Sequence, residues 1–272
     1  GFNNPDSEWD KKEIEYFLVG DSFTHGNCVN RPNDIASILR NLSNKSVLNL
    51  GYSGFGPLAE FAVLREYLNI NVKKVLWIYF EGNDLGNLKN EKSNIILSNY
   101  LNDLTFNQNL KLKQNKVNDL TINYIKKEKE LHIKNIIQNN SEKTFKFRLL
   151  KFIKIFKIRS LLYNRLPPKS LPVSEFKLIL KLTKELVKKN NSELYFVYLP
   201  QYSRFNTNYD NTNYNRVKKI INELKIPFID ISKEVFEKEQ NPLKLFPFEL
   251  PGHYNIDGYK KVAGTIYKFT KD

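Results

Sequence analysis

Several residue types that would define a class of protein are scarce in this chain of 272 residues. Its single cysteine, Cys28, excludes an internal disulfide and a metal site built from several cysteines. No run of about 18 apolar residues is present, and we therefore expect no transmembrane helix. Only three histidines occur, so a histidine that acts as a base must be one of very few candidates.

The chain also contains no methionine and begins at Gly1. We therefore expect it to be a processed or excised part of a longer protein, from which a targeting segment or an anchor was removed. What is present suits a folded domain, because 41% of the residues are hydrophobic and 13% are aromatic. A chain of this length can bury a large core as one α/β domain.

Positive charge is unevenly distributed. The formal net charge is +14, and residues 91–170 alone hold 17 lysines and arginines against 6 acidic residues. The basic character therefore belongs mainly to one segment. The question of catalysis can be separated from the question of what this charge binds.

Apolar runs alternate with stretches of helical spacing over most of the chain. Near-continuous apolar strands between helices predict a parallel sheet that is covered on both faces. The predicted strands are 15–22, 46–51, 74–80, 193–199 and 227–231, and the predicted helices are 33–42, 57–68, 173–189, 214–224 and 255–269.

Residues of about 88–170 interrupt this alternation. They are rich in Asn, Lys and Ile, and helices are plausible over 119–137 and 143–166. We interpret the chain as one domain, residues 1–272, with a basic and partly helical insertion at 88–170. Five strands around this insertion are expected.

Four polar stretches follow predicted strands or precede the last helix. They are Gly20-Asp21-Ser22, Gly51-Tyr52-Ser53-Gly54, Gly82-Asn83-Asp84 and the segment 253–258, HYNIDG. Because sites in open parallel sheets form at the carboxyl ends of the strands, all four can meet at one edge. A serine hydroxyl is a weak nucleophile that needs a nearby base, and histidine is the usual one.

These four stretches, in this order, resemble the conserved blocks of the SGNH (GDSL) hydrolase family. GDS, LNLGYSGFG, EGND and GHYNIDG correspond to its first, second, third and fifth blocks. The resemblance implies a flavodoxin-like α/β/α sandwich with Ser22 as the nucleophile and His253 as the base. It implies an oxyanion hole formed by the Ser22 amide, the Gly54 amide and the side-chain amide of Asn83.

One feature departs from the family pattern. The family usually places an aspartate two or three residues before the histidine, where this chain has Pro251 and Leu250. Three interpretations follow. Glu249 acts as the acid through a different loop path, or a main-chain carbonyl orients His253 in a Ser–His dyad, or the site is impaired or inactive.

Other polar residues near these blocks have simpler interpretations. Asp21 and Asp84 are expected to be structural, the latter as a helix cap. His25 either lines the site or lies in a surface loop. Cys28 has no obvious base nearby in the sequence, and we expect it to be a small buried residue.

The basic stretch 143–166 has apolar residues at helical spacing with lysines and arginines around them. Such a helix either packs its apolar face on the protein or lies on an anionic membrane surface or an anionic glycan. Nucleic acid is disfavoured as a partner, since no recognition motif accompanies the charge.

The sequence therefore predicts a serine esterase that hydrolyses small O-acyl esters and needs neither a metal nor a cofactor. Acetyl groups on carbohydrate are the substrate that family analogy suggests, and the bacterial cell envelope or periplasm is the favoured location. Two alternatives stay open: an O-acyltransferase that acts on cell-envelope glycans with the same residues, and a binding module without turnover.

Overall fold

The computed structural model describes residues 1–68, 71–139 and 171–271. The chain divides into two compact units, residues 1–107 with 171–272, and residues 108–170. In the second unit the described part contains the helix Gln114–Asn139, which covers the predicted helix 119–137. The basic stretch 143–166 lies outside the described residues, so its predicted helix and binding role stay predictions. The insertion at 88–170 also stays a prediction.

The first unit is built on one sheet of five parallel strands, as the sequence predicts. The strands are β1 (Ile14–Gly20), β2 (Val47–Asn49), β3 (Val72–Phe80), β4 (Glu193–Leu199) and β5 (Phe228–Asp230). Their order across the sheet is β2-β1-β3-β4-β5, and each neighbouring pair is parallel. The chain leaves β1 toward β2 on one side and later returns to β3 on the other side.

Helices connect these strands and cover both faces of the sheet. In chain order they are α1 (Ser22–His25), α2 (Ile35–Ser43), α3 (Pro57–Tyr67), α4 (Asp84–Glu91), α5 (Ile95–Asn102), α6 (Gln114–Asn139, in the second unit), α7 (Val173–Lys189), α8 (Thr212–Glu223), α9 (Ile231–Glu234) and α10 (Ile256–Thr270). Helices α3, α7 and α8 contribute to the core on one face, and α2 and α10 to the core on the other. This is the predicted three-layer α/β/α sandwich.

The alternation of side chains along β3 explains why residues 75–80 of this strand are all apolar. Trp77 and Tyr79 lie in the core under α3 and α7, whereas Leu76 and Ile78 lie in the core under α2 and α10. All four are buried. A strand with a helical layer on each side needs apolar residues at every position, which is the pattern by which the sequence predicted it.

The N-terminal segment protects the edge strand β2. The Val47 amide donates to Glu8 Oε2 at 3.0 Å, and the Asn49 amide donates to Asn4 Oδ1 at 2.8 Å. Asn4 and Glu8 are buried. Because an unpaired strand edge invites association with another chain, these side chains occupy donors that would otherwise be open.

Candidate active site

Ser22 is the first residue of α1, in the tight turn from β1 into this helix, at the carboxyl edge of the sheet. A Cβ on Gly20 would lie 2.0 Å from Thr24 Oγ1 and 2.6 Å from the Ile78 carbonyl oxygen, so only glycine fits at the end of this strand. Asp21 caps α1, since its Oδ1 accepts a hydrogen bond from the Phe23 amide at 2.9 Å. These contacts fix the backbone on which Ser22 is carried.

His253 meets Ser22 from the far end of the chain. His253 Nε2 lies 2.7 Å from Ser22 Oγ. The Phe23 ring packs against the imidazole with a centroid distance of 4.4 Å. Burial lowers the pKa of His253, because the charged ring is poorly solvated there. The ring is therefore neutral near pH 7 and able to accept a proton.

Two residues that follow His253 hold its loop in place. Tyr254 is fully buried, and its hydroxyl donates to the Pro200 carbonyl oxygen at 2.6 Å. Asn255 caps α10 by accepting a hydrogen bond from the Gly258 amide at 2.9 Å. The loop is thus anchored to the end of β4 and to the start of α10, and the imidazole projects between these anchors and Ser22.

The other ring nitrogen of His253 faces a thiol. Cys28 Sγ lies 3.7 Å from His253 Nδ1. The expectation that Cys28 is a buried small residue was wrong, because its side chain is exposed. The loop after α1 turns back across the mouth of the site, which places Cys28 next to a residue 225 positions away in the chain.

Glu249, the candidate acid, has other partners in the described part of the chain. Asn241 Nδ2 donates to Glu249 Oε2 at 3.4 Å, and the Tyr202 hydroxyl donates to the Glu249 carbonyl oxygen at 2.8 Å. Leu250 and Glu249 belong to an irregular stretch of loop in which Glu249 has a φ of 55°. The structure thus gives Glu249 contacts with Asn241 and Tyr202 rather than with His253, and its role as the acid stays a prediction.

The predicted oxyanion-hole residues lie on loops after β2 and β3. Asn83 precedes α4 and lines one cleft together with Ser22 and His253. Its side chain also lies close enough to Asp21 to lower the pKa of that carboxyl group. Gly54 lies in an exposed turn with a φ of 87°, a conformation that favours glycine. The roles of Asn83 and Gly54 in the oxyanion hole stay predictions.

Buried carboxyl groups lie behind the Ser22 turn. Burial raises the pKa of Asp21 to about 6, although hydrogen bonds from Phe23, Asn83 and Ser22 oppose the rise. Burial also raises the pKa values of Glu60 and Asp84 well above the usual range; the negative charge of Asp21 adds to both rises, and that of Glu60 adds to the rise at Asp84. Neither oxygen of Glu60 has a hydrogen-bond partner among the described residues. Neutral, protonated side chains are therefore favoured at Glu60 and Asp84.

Two recesses of different character open beside His253. One, of about 360 Å³, is mainly apolar and is lined by Ser22, Phe23, Phe80, Asn83, Gln201, Tyr202, Ser203, Pro251, Gly252 and His253. The other, of about 530 Å³, is mainly polar and lies along the loop 25–31. It includes Arg31 and contains no acidic side chain among its lining residues. The imidazole belongs to the walls of both recesses.

A buried ion pair connects the loop of Asn83 to the segment after β4. Arg204 Nε donates to Glu81 Oε1 at 2.8 Å, and the same oxygen accepts a hydrogen bond from the Gln201 amide at 2.8 Å. The side chains of Arg204 and Glu81 are 10% and 2% exposed. Three tyrosine rings surround the guanidinium group, those of Tyr198, Tyr209 and Tyr214.

The sequence missed two of these features. Cys28 could have been noticed as a reactive side chain in the loop that directly follows the nucleophile helix. Nothing in the sequence apart from their opposite charges indicated that Glu81 and Arg204 form a buried ion pair. His25 lies in the wall of the polar recess, and its Nδ1 is 3.2 Å from the Gly51 carbonyl oxygen.

The described residues contain no group of three or more His, Cys, Asp or Glu side chains arranged to hold a metal ion. Among the helices of residues 1–68, 71–139 and 171–271, none has the length and apolar character needed to cross a membrane.

Comparison with known proteins gives a result at the level of the fold. The sequence matches no family model and no curated protein. A solved structure of a protein from Lactobacillus plantarum is similar, with a TM-score of 0.50, 11% identity, and coverage of 94% of this chain and 96% of that chain.

Two further structures have TM-scores of 0.48. A putative lipolytic protein of the G-D-S-L family from Desulfitobacterium hafniense is 14% identical, over 94% of this chain and 99% of that chain. The acetylxylan esterase Axe2 from Geobacillus stearothermophilus is 13% identical, over 95% of this chain and 94% of that chain.

The chain has a three-layer α/β/α sandwich on a five-stranded parallel sheet, which is the fold that the resemblance to the SGNH/GDSL hydrolases implies. The order of the strands places the Ser22 turn and the Asn83 loop side by side, at the point where the chain changes direction between β1 and β3. Binding sites in open α/β sheets form at this kind of switch point.

Proposed function

We propose that the protein is a serine esterase that hydrolyses small O-acyl esters through an acyl-enzyme on Ser22. The distance of 2.7 Å between Ser22 Oγ and His253 Nε2 carries this proposal. It is the distance at which a neutral imidazole can take the hydroxyl proton as the oxygen attacks a carbonyl. The lowered pKa of His253 supports this role, because it keeps the base unprotonated at neutral pH.

In this mechanism Ser22 Oγ attacks the ester carbonyl carbon and its proton moves to His253 Nε2. The oxyanion is held by the amides of Ser22 and Gly54 and by the side-chain amide of Asn83. The side-chain amide of Asn83 has two N–H bonds, either of which can donate to the oxyanion. The imidazolium then returns the proton to the departing alcohol, and water attacks the acyl-enzyme in the reverse sense.

The two recesses suggest how the ester is oriented. The apolar recess, with Phe23, Phe80 and Tyr202 in its wall, suits a short acyl group. The polar recess suits an alcohol rich in hydroxyl groups, such as a carbohydrate. If this orientation is right, kcat/KM falls as the acyl chain of a p-nitrophenyl ester is lengthened from acetyl to octanoyl. A preference for octanoate would contradict the assignment of a short acyl group.

Covalent labelling tests the nucleophile directly. A fluorophosphonate probe should modify Ser22 in the wild type, which peptide mass spectrometry can locate, and should leave Ser22→Ala unlabelled. His253→Gln should react much more slowly, because the hydroxyl then lacks its base. Folded wild-type protein that stays unlabelled would contradict the esterase and would favour a binding module without turnover.

The polar recess also favours a second candidate, an O-acyltransferase that uses the same residues. A sugar hydroxyl bound there would lie beside His253 and could replace water in attacking the acyl-enzyme. Transfer of acetyl to an added oligosaccharide faster than its hydrolysis would support this candidate. Release of all acetyl as acetate, at every sugar concentration, would reject it.

A further inference from the structure

We propose that Cys28 is the positioning residue for His253, in the place where the family pattern has a carboxylate; this inference rests on the proposed function of the Ser22–His253 pair. The thiol sulfur accepts a hydrogen bond from Nδ1–H of His253. This bond selects the tautomer whose Nε2 lone pair faces Ser22. The contact between Cys28 Sγ and His253 Nδ1, at 3.7 Å, carries the argument.

The direction of this hydrogen bond follows from the other side of the ring. A base that takes the Ser22 proton must present an unprotonated Nε2 to Oγ, 2.7 Å away. A neutral imidazole has a single N–H, which must then be on Nδ1. The group that faces Nδ1 must accept a hydrogen bond, and a thiol sulfur can do so weakly.

The loop holds the thiol in this place from several sides. Helix α1 ends at Gly26, which is left-handed with a φ of 89°. The Tyr259 hydroxyl donates to the Asn27 carbonyl oxygen at 3.0 Å, and Asn27 Nδ2 donates to Ser53 Oγ at 3.0 Å. These bonds tie the residue before Cys28 to α10 and to the loop after β2.

Cys28 itself has a φ of 72°, in the left-handed region that non-glycine residues rarely adopt. This backbone conformation has a cost that the surrounding contacts must offset. Strain of this kind concentrates at functional sites, and here it accompanies a side chain directed at the catalytic imidazole. Asp and Asn tolerate this region better than other residues, so either can replace Cys28 without added backbone strain.

A thiol and a carboxylate would support the base differently. Both fix the tautomer, but only a carboxylate stabilises the imidazolium that forms during attack. The ionisable groups around the ring are Cys28 at Nδ1, Asp21 behind Ser22, Tyr254 and Tyr259 in the core beneath, Tyr202 in the apolar recess, and His25 and Arg31 in the polar recess. Replacement of the thiol by a carboxylate would add a negative charge directly at Nδ1.

Kinetics with p-nitrophenyl acetate separate these roles. We expect Cys28→Ala to lower kcat/KM about tenfold, the effect of one lost hydrogen bond, and Cys28→Ser to restore most of it. Cys28→Asp should equal or exceed the wild type and should move the acidic limb of the pH profile to higher pH. Asn191→Ala, at an exposed left-handed residue far from the site, controls for the backbone conformation.

The tautomer can be read without any activity. The ¹⁵N shifts of the His253 ring, assigned by the loss of its signals in His253→Gln, should report an Nδ1-protonated ring in the wild type and in Ser22→Ala. Cys28→Ala should show a mixture of tautomers. If Cys28→Ala keeps the wild-type ring shifts, kcat/KM and pH profile, Cys28 does not position His253. If the wild type is as inactive as Ser22→Ala, the proposed function fails, while the ring shifts still decide on the contact.

Discussion

The Ser22 turn and the His253 loop place two partner side chains by different means. Ser22 is fixed locally, by the end of β1, by the close packing at Gly20 and by the Asp21 cap. His253 is fixed by distant parts of the chain, which are the Pro200 carbonyl oxygen behind Tyr254, the Phe23 ring and the Cys28 thiol. In the described structure its ring contacts are apolar or neutral.

This difference bears on how strong a base His253 can be. A neutral environment keeps the ring unprotonated, which prepares it to accept the Ser22 proton. The same environment gives little support to the imidazolium that follows. We therefore expect an active site whose rate is limited by weak stabilisation of the protonated His253.

The largest effect should come from removing the base. His253→Gln should lower kcat for p-nitrophenyl acetate by about 10³-fold or more, as expected when one member of a nucleophile–base pair is lost. The fold should be unchanged by circular dichroism, since the imidazole is at the surface of two recesses. Retention of wild-type kcat would show that Ser22 has another base.

A large loss of stability should follow from breaking the ion pair that joins the Asn83 loop to the segment after β4. Arg204→Ala leaves Glu81 buried without its partner and should lower the free energy of unfolding by about 3–5 kcal/mol. The exposed pair Lys177–Glu223 offers a matched control, because Lys177→Ala breaks an ion pair that water already screens and should cost much less. Urea denaturation measures both. Equal costs would contradict the view that burial makes the first pair important.

A smaller, pH-dependent effect should come from the acids behind Ser22. The folded-state pKa of Glu60 is raised, so the folded protein binds its proton more tightly than the unfolded chain does. Stability from this group is complete below about pH 4 and is lost as the pH rises toward the folded-state pKa. The free energy of unfolding of Glu60→Gln should therefore fall less steeply with rising pH than that of the wild type, by about 1.4 kcal/mol per pH unit at most.

Urea midpoints at pH 5 and pH 8 check this prediction. The difference between Glu60→Gln and the wild type should move in favour of the variant as the pH rises. A difference that is the same at both values would mean that Glu60 titrates normally in the folded protein.

The smallest effect concerns the pH profile of the wild type. Because burial lowers the pKa of His253, the acidic limb of kcat/KM should have its midpoint below 6.5. Hydrolysis of p-nitrophenyl acetate between pH 4.5 and pH 8 gives this midpoint. A midpoint above 6.5 would indicate a negative charge close to the ring, and Glu249→Gln would then show whether Glu249 supplies it.

The sheet and the Ser22 turn could be predicted from the sequence because the patterns that indicate them are local. A strand such as β3 is apolar at every position from 75 to 80, and the helices before and after it begin at Pro57 and directly after Asn83. Three consecutive residues, Gly20-Asp21-Ser22, are enough to predict the Ser22 turn. The fold follows from these short-range patterns and from the rule that parallel strands end at a common edge.

The surroundings of His253 could not be predicted in the same way. The contact of Cys28 with His253 depends on the path of the loop after α1, which long-range hydrogen bonds such as Tyr259 to Asn27 determine. The burial of Glu60 could not be predicted either, because an acidic residue in a helix is usually exposed. Its burial depends on α3 having residues packed around most of its circumference.

The most direct test of the central claim is hydrolysis of p-nitrophenyl acetate by the wild type, Ser22→Ala and Glu249→Gln, measured side by side. We expect the wild type and Glu249→Gln to hydrolyse the ester and Ser22→Ala not to do so. If Ser22→Ala hydrolyses the ester as fast as the wild type, Ser22 is not the nucleophile and the proposed mechanism is wrong.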